Sequence, residues 1–155
     1  MSQFFDFFDG RQIDWRDGRP VWWSLAPLRY WSDLLGETVV IPAEFITDLA
    51  SAPRLPLVWL IAGGRGTRSA VLHDFPYQFG YWLLNGDRRP VTRQLSDAVF
   101  YESLLADPIS GAGRLVAAEM WAGVRICGRG VWHDRPARSP ALNPEWSRDW
   151  GVIGP

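Results

Sequence analysis

Strand-like alternation and helix-like periodicity occupy different parts of this chain, and that separation limits the fold more than any other feature. Residues 20–32 alternate through Val21, Trp23 and Leu25, then Leu28 and Tyr30 beyond Pro27. Leu34-Leu35-Gly36-Glu37 reads as a turn, and Thr38-Val39-Val40-Ile41 as a strand stopped by Pro42. Residues 45–66 are loop-like at both ends, with Pro53, Pro56, Gly63, Gly64 and Gly66. From there the pattern is helical. Thr67 is suited to cap a helix from Arg68 to about Gly80. Pro76 lies inside it and lacks the N–H that would bond to Leu72, which predicts a kink or an early stop. Asn85-Gly86-Asp87 is a turn. Thr92 caps a second helix to about Ala106, before Pro108. Ser110 caps a third, Gly111 to Cys127, stopped by Gly128. Its Val116, Met120 and Val124 recur every four residues as one buried stripe. The fold predicted is α+β: a small antiparallel β unit packed on about three helices, with extended N- and C-terminal arms.

The chain has 155 residues, 47% hydrophobic and 21% charged, with a formal net charge of -1. A single domain of this size buries about 70% of its unfolded surface. The low charge excludes a solvated disordered chain over most of the length, and it argues against non-specific nucleic-acid binding. The expected division is an N-terminal arm over 1–19, a domain over 20–133 and a Pro-rich arm over 134–155. In the first, Phe4, Phe5, Phe7 and Phe8 precede Asp9-Gly10 and Asp17-Gly18. Two short strands with turns and an ordered arm fit it equally well. The last segment carries Pro136, Pro140, Pro144 and Pro155 and cannot build its own core. It also holds Trp146 and Trp150, which either fold back on the domain or dock on a partner. The chain has 10 Trp, and all 16 of its basic residues are Arg, side chains that dominate interface hot spots.

The one cysteine, Cys127, rules out an intrachain disulfide, and its apolar neighbours Val124 and Ile126 predict a buried small hydrophobe. The start, MSQFFDFFDGRQ, has no basic region followed by a long apolar one, so no signal peptide is expected. The longest apolar run, Leu55 to Gly64, is about half a membrane span. These features predict a location in the cytoplasm or in an assembled particle.

Two histidines limit any imidazole chemistry. His73 and Tyr77 stand four apart on one helix face, with Asp74 about 100° round the helix, placed to bind a cation beside the imidazole. Asp97 lies among Leu95, Phe100, Tyr101 and Leu104. Buried without a partner it would cost free energy, and the nearest remedy is an imidazole N–H from the preceding helix. That pairing would fix the tautomer of His73 and leave its other nitrogen as a base. It could equally tie two helices together. Thr47-Asp48-Leu49-Ala50-Ser51-Ala52-Pro53-Arg54 is the other polar cluster. Asp48 and Ser51 suit a capping turn, and Arg54 could pair with Asp48, Asp74 or Asp97. Alternatively this loop lies over the His73 helix and gives oxygens to a metal or substrate. His133 could complete a two-His, one-carboxylate metal site in a peptidase, although its separation from His73 carries no specificity.

The run Val40 to Arg54, then Ala70 to Tyr77, then Ser96 to Phe100 resembles the phage and prophage family catalogued as domain of unknown function 1353. That family's pattern is a PxGFxTDxASxPR loop, an HDxxY helix, an AD helix and an AVR element, the last matched by Ala122-Gly123-Val124-Arg125. The resemblance covers about residues 20 to 132. Glu44 stands where the family usually has Gly, which suggests a different backbone turn, and Pro76 lies inside the HDxxY motif. The resemblance implies a bacteriophage protein, in the virion or the host cytoplasm, whose partners are other virion proteins. HDxxY followed by a distant Asp is also similar to bacterial and parvoviral phospholipases A2. That similarity implies His73 as the base, Asp97 orienting it, and Asp74, with Asp48 from the loop, holding Ca²⁺ against a membrane lipid ester. No glycine-rich calcium loop clearly matches. The two functional expectations are a virion-associated tail or internal component docking through its Trp-bearing arms, and an envelope hydrolase.

Overall fold

A computed structural model describes residues 1–16, 19–49, 66–109, 113–130 and 132. The chain is α+β, with two antiparallel sheets and three α-helices among the described residues. Strands β1 (Gln3–Phe4), β4 (Leu28–Ser32), β5 (Glu37–Ile41), β7 (Tyr81–Leu84) and β8 (Asp87–Pro90) form a five-stranded sheet in the order β1-β4-β5-β7-β8. Strands β2 (Gly10–Arg16), β3 (Arg19–Ser24) and β6 (Ile46–Thr47) form the smaller sheet, order β2-β3-β6. The helices are α1 (Thr67–Phe79), α2 (Arg93–Ala106) and α3 (Arg114–Cys127), followed by a 3-10 turn at Gly128–Gly130. None of them is long and apolar enough to cross a membrane.

Of the two readings of residues 1–19, strands with turns is the one observed: this segment gives strands to both sheets. Its polar groups are tied to the helices. Arg68 on α1 pairs with the buried Asp107, donates to the Asp6 carbonyl at 3.0 Å and lies 4.7 Å over the Phe4 ring. Glu102 on α2 accepts from Ser2 Oγ at 2.8 Å, Tyr30 Oη at 3.0 Å, Ser32 Oγ at 2.6 Å and the Leu34 amide at 2.9 Å. The trailing segment, with Trp146 and Trp150, lies outside the described residues.

The core between the five-stranded sheet and α1 is built from inward-facing residues, including Tyr30, Val39, Ile41, Phe45, Leu72, Phe75 and Trp82. A second cluster joins α2 to α3 through Phe100, Leu104, Ala117, Met120 and Val124, with Val116 at its margin. The α3 stripe read from periodicity is therefore the α2–α3 contact.

Helix α1 does not stop early at Pro76. The proline falls in the last turn, so one backbone bond is lost there. The Leu72 carbonyl accepts instead from the Trp82 indole N–H at 3.2 Å. The helix ends at Gly80, whose φ of 74° and amide bond to the Pro76 carbonyl close the last turn. Its N-cap is Gly66 rather than Thr67, with no side-chain cap. Thr92 does cap α2, accepting from the Leu95 amide at 3.2 Å. Helix α3 begins later than expected, at Arg114 behind Gly113, whose extended backbone forms the N-cap without a side-chain bond; Ser110 lies outside the described residues.

The Asn85-Gly86 turn joins two strands that periodicity alone left unread. Both central residues have positive φ, 51° and 94°, which matches the twist of the flanking strands. Glu44 has φ 65°. The backbone there takes the left-handed conformation that glycine favours. Cys127 is exposed, not buried. The inward positions of α3 run through Met120 and Val124, and the next one is Gly128, against Tyr77.

Candidate functional site

Three helices bring their polar residues to one buried point. Helix α1 presents His73 and Tyr77 one turn apart, ring centroids 4.2 Å from each other. Helix α2 presents Asp97, and the last turn of α3 presents Arg125. His73 Nε2 lies 2.9 Å from Asp97 Oδ1, Tyr77 Oη donates to the same oxygen at 2.7 Å, and Arg125 Nη1 donates to Oδ2 at 3.0 Å. Asp97 is 0% exposed and His73 1%. A buried carboxylate is tolerated when donors surround it, and here three do.

Burial pushes the Asp97 carboxyl up, but the bonds from His73, Tyr77 and Arg125 outweigh it and hold the group below the ordinary carboxylate value. Burial lowers His73, and the attraction of Asp97 only partly opposes this. The pair is therefore neutral imidazole with carboxylate. An anionic Asp97 can only accept, so Nε2 carries the hydrogen and Nδ1 the lone pair. The Tyr77 hydroxyl is raised by burial and by the Asp97 charge, and stays protonated.

Neighbours fix each member. The Phe100 ring lies 4.6 Å from His73, and Trp132 meets Tyr77 edge-on at 4.8 Å. Gly128 leaves room for Tyr77: a Cβ there would stand 2.5 Å from its hydroxyl oxygen. Arg93, one turn before Asp97, donates to the Arg125 carbonyl at 3.0 Å.

Asp74 faces another way. It is 2% exposed, and its Oδ2 accepts from the Thr47 hydroxyl, which also receives the Leu49 amide at 3.0 Å. Leu49 has φ 53°, so the turn after β6 is held in a costly conformation for a branched side chain. Asp48 is half-buried beside it. Ser51, Arg54 and His133 lie outside the described residues. Among the described residues no three His, Cys, Asp or Glu side chains converge on a metal position. Asp74 gives one oxygen to Thr47, and Ca²⁺ takes six or more oxygens.

His73, Asp97 and Tyr77 are thus brought together as their spacing suggested. Arg125 was legible as part of a segment but not as a partner of Asp97. Thr47 was visible as a polar neighbour of Asp48, and nothing in its spacing pointed to Asp74.

Residues 22–124, more than half of the chain, match the family described as Protein of unknown function (DUF1353). The chain belongs to that family. No curated protein and no solved structure matches it. The DUF1353 region starts within β3 and ends at Val124, in the last turn of α3. It contains Thr47, His73, Asp74, Tyr77 and Asp97. Arg125 falls one residue beyond it.

Proposed function

We propose that the chain is a bacteriophage-encoded, virion-associated component, in the tail or inside the capsid, whose buried polar network is a scaffold. One observation carries the scaffold reading: the buried polar side chains of the site bond to one another across the elements. His73, Tyr77 and Arg125 all bond to Asp97, and Thr47 bonds to Asp74. Such a network locks three helices and the β6 turn into one arrangement. Docking then falls to the Trp-bearing arms, with other virion proteins as partners and particle or host cytoplasm as the location. The test is the protein content of particles made by the replicon that encodes the chain. His73→Gln should leave the chain in the particles, and deletion of 134–155 should remove it. Particles that never contain the chain would sink this reading.

A second reading rests on the tautomer of His73. Its Nδ1 lone pair could take a proton from water as the hydroxide attacks a lipid ester carbonyl, with Asp97 steadying the imidazolium formed. The imidazolium then returns that proton to the departing alkoxide as the ester C–O bond breaks, which leaves a free acid and an alcohol. Hydrolysis of mixed phospholipid vesicles by the purified chain, lost in His73→Ala with the fold intact, would establish it in place of the scaffold.

A further inference from the structure

Two guanidinium groups meet at the half-buried edge of the site. Arg125, in the last turn of α3, donates through Nη1 to Asp97 Oδ2 at 3.0 Å, and 30% of its side chain is exposed. Arg93, at the start of α2 and also half-buried, donates through Nη1 to the Arg125 carbonyl at 3.0 Å. It stands one turn before Asp97 on the same helix. Its charge also reaches the Tyr77 hydroxyl, where it opposes the rise that burial and the Asp97 charge cause. Both cations therefore converge on the Tyr77–Asp97 pair, and they come from two different helices.

The charges at this point do not balance. Asp97 is the acid that the hydrogen bonds bring there, and it answers two guanidinium groups beside an imidazole without charge. Residues 92–96 and 124–130 contain no acid. Among the described residues, Arg93 has no carboxylate within ion-pair distance. Arg129, exposed in the 3-10 turn, adds a further positive charge after the same end of α3. A surplus of positive charge held partly out of water costs free energy unless an anion offsets it. A guanidinium carries five N–H donors, and the bonds above use one from each side chain. A single arginine fork satisfies the two coplanar oxygens of a carboxylate. Two forks reaching in from different helices suit an acceptor whose oxygens point in several directions. From this convergence we infer that the α2–α3 seam beside Tyr77 is a binding site for a phosphate group, held by Arg93 and Arg125 together. Free phosphate and the headgroup of an anionic lipid share that chemistry. The site is independent of the docking role proposed above. Its ligand joins the start of α2 to the end of α3 and so holds α3 more firmly on the domain.

The test is isothermal titration calorimetry of the full chain with inorganic phosphate, against chloride at matched ionic strength. Wild-type protein should bind phosphate saturably. Arg93→Gln keeps a donor for the Arg125 carbonyl but removes a fork, and should weaken binding by about tenfold or more, the worth of a charge-assisted hydrogen bond. Arg125→Lys keeps the positive charge beside Asp97 and loses the planar fork, and should weaken binding by a similar factor. Arg114→Gln removes the same charge from the opposite end of α3 and should bind as wild type does. Circular dichroism checks that each variant is folded, and Arg93→Gln decides the matter if Arg125→Lys is not. Phosphate should also raise the wild-type melting temperature beyond the effect of chloride, by an increment that Arg93→Gln loses. Cosedimentation with phosphatidylcholine vesicles containing phosphatidic acid distinguishes the sources. Vesicle binding that inorganic phosphate displaces assigns the headgroup, and phosphate binding without vesicle binding assigns the free ion. Wild-type protein that takes up no phosphate saturably overturns the inference. So does full affinity in folded Arg93→Gln, or equal weakening in Arg114→Gln, which would reduce the effect to general charge attraction.

Discussion

Trp82 donates its indole N–H to the Leu72 carbonyl, the acceptor that Pro76 leaves without a backbone donor. The first strand of a hairpin thus repairs the helix before it. A buried carbonyl left without a donor costs about 1–3 kcal/mol. Trp82→Phe should destabilise the fold by at least that much, since the smaller ring also leaves space. In a Pro76→Ala background the helix regains its own donor, and the same substitution should cost about 1 kcal/mol less. Denaturant titration of the four proteins measures the difference. Equal costs in both backgrounds would mean that the indole bond is not a repair.

Gly128 lies close against Tyr77 in the site. Gly128→Ala places a methyl group 2.5 Å from the Tyr77 hydroxyl oxygen and should cost about 1–3 kcal/mol through overpacking. Tyr77→Phe removes that oxygen. The double variant should therefore lose less than the sum of the two single losses, as read from chemical denaturation. Strict additivity would place the strain elsewhere.

Stability should fall as pH drops below about 6.5, the unfolded histidine value. The folded His73 is held lower by burial, so between the two values the unfolded chain binds the extra proton. Asp97, also lowered, adds a second loss at more acid pH, below the ordinary carboxylate value. Both slopes have the same sign. His73→Gln should flatten the first and keep the second, as followed by thermal melts at a series of pH values. A wild-type curve flat from neutral to about pH 5 would contradict the neutral imidazole.

Glu44 occupies a left-handed backbone position at φ 65°. The conformation costs an L-residue about 1–2 kcal/mol, partly offset by the entropy that a glycine would add to the unfolded chain. Glu44→Gly should raise stability by about 0.5–1 kcal/mol without moving the Glu44 amide from the Ser24 carbonyl, 2.7 Å away. A lower melting temperature would show that the glutamate side chain contributes more than its backbone costs.

Much of the fold could be read from local chemistry. Thr92 capping α2, the Asn85-Gly86 turn and the Met120–Val124 stripe depend on residues within one or two turns of each other. The His73–Asp97 bond was also within reach, because an aspartate among apolar residues demands a partner and the preceding helix offered an imidazole. Arg125 was not, since it lies 28 residues beyond Asp97 and nothing local aims it there. Pro76 misled for a related reason: its repair comes from Trp82, outside the helix. Cys127 misled because apolar neighbours in sequence do not define a face, and Ile126 beside it points to solvent.

Glu102 has a consequence for the order in which the molecule assembles. Ser2 leaves the ribosome well before its hydrogen-bond partner, which follows 100 positions later. At about 5–20 residues per second the leading segment waits roughly 5–20 s for the carboxylate that anchors it. Tyr30, Ser32 and the Leu34 amide wait for the same group. Their hydroxyl and amide groups stay with water until α2 arrives. The five-stranded sheet therefore gains this anchor at its β1 edge only after α2 has been made.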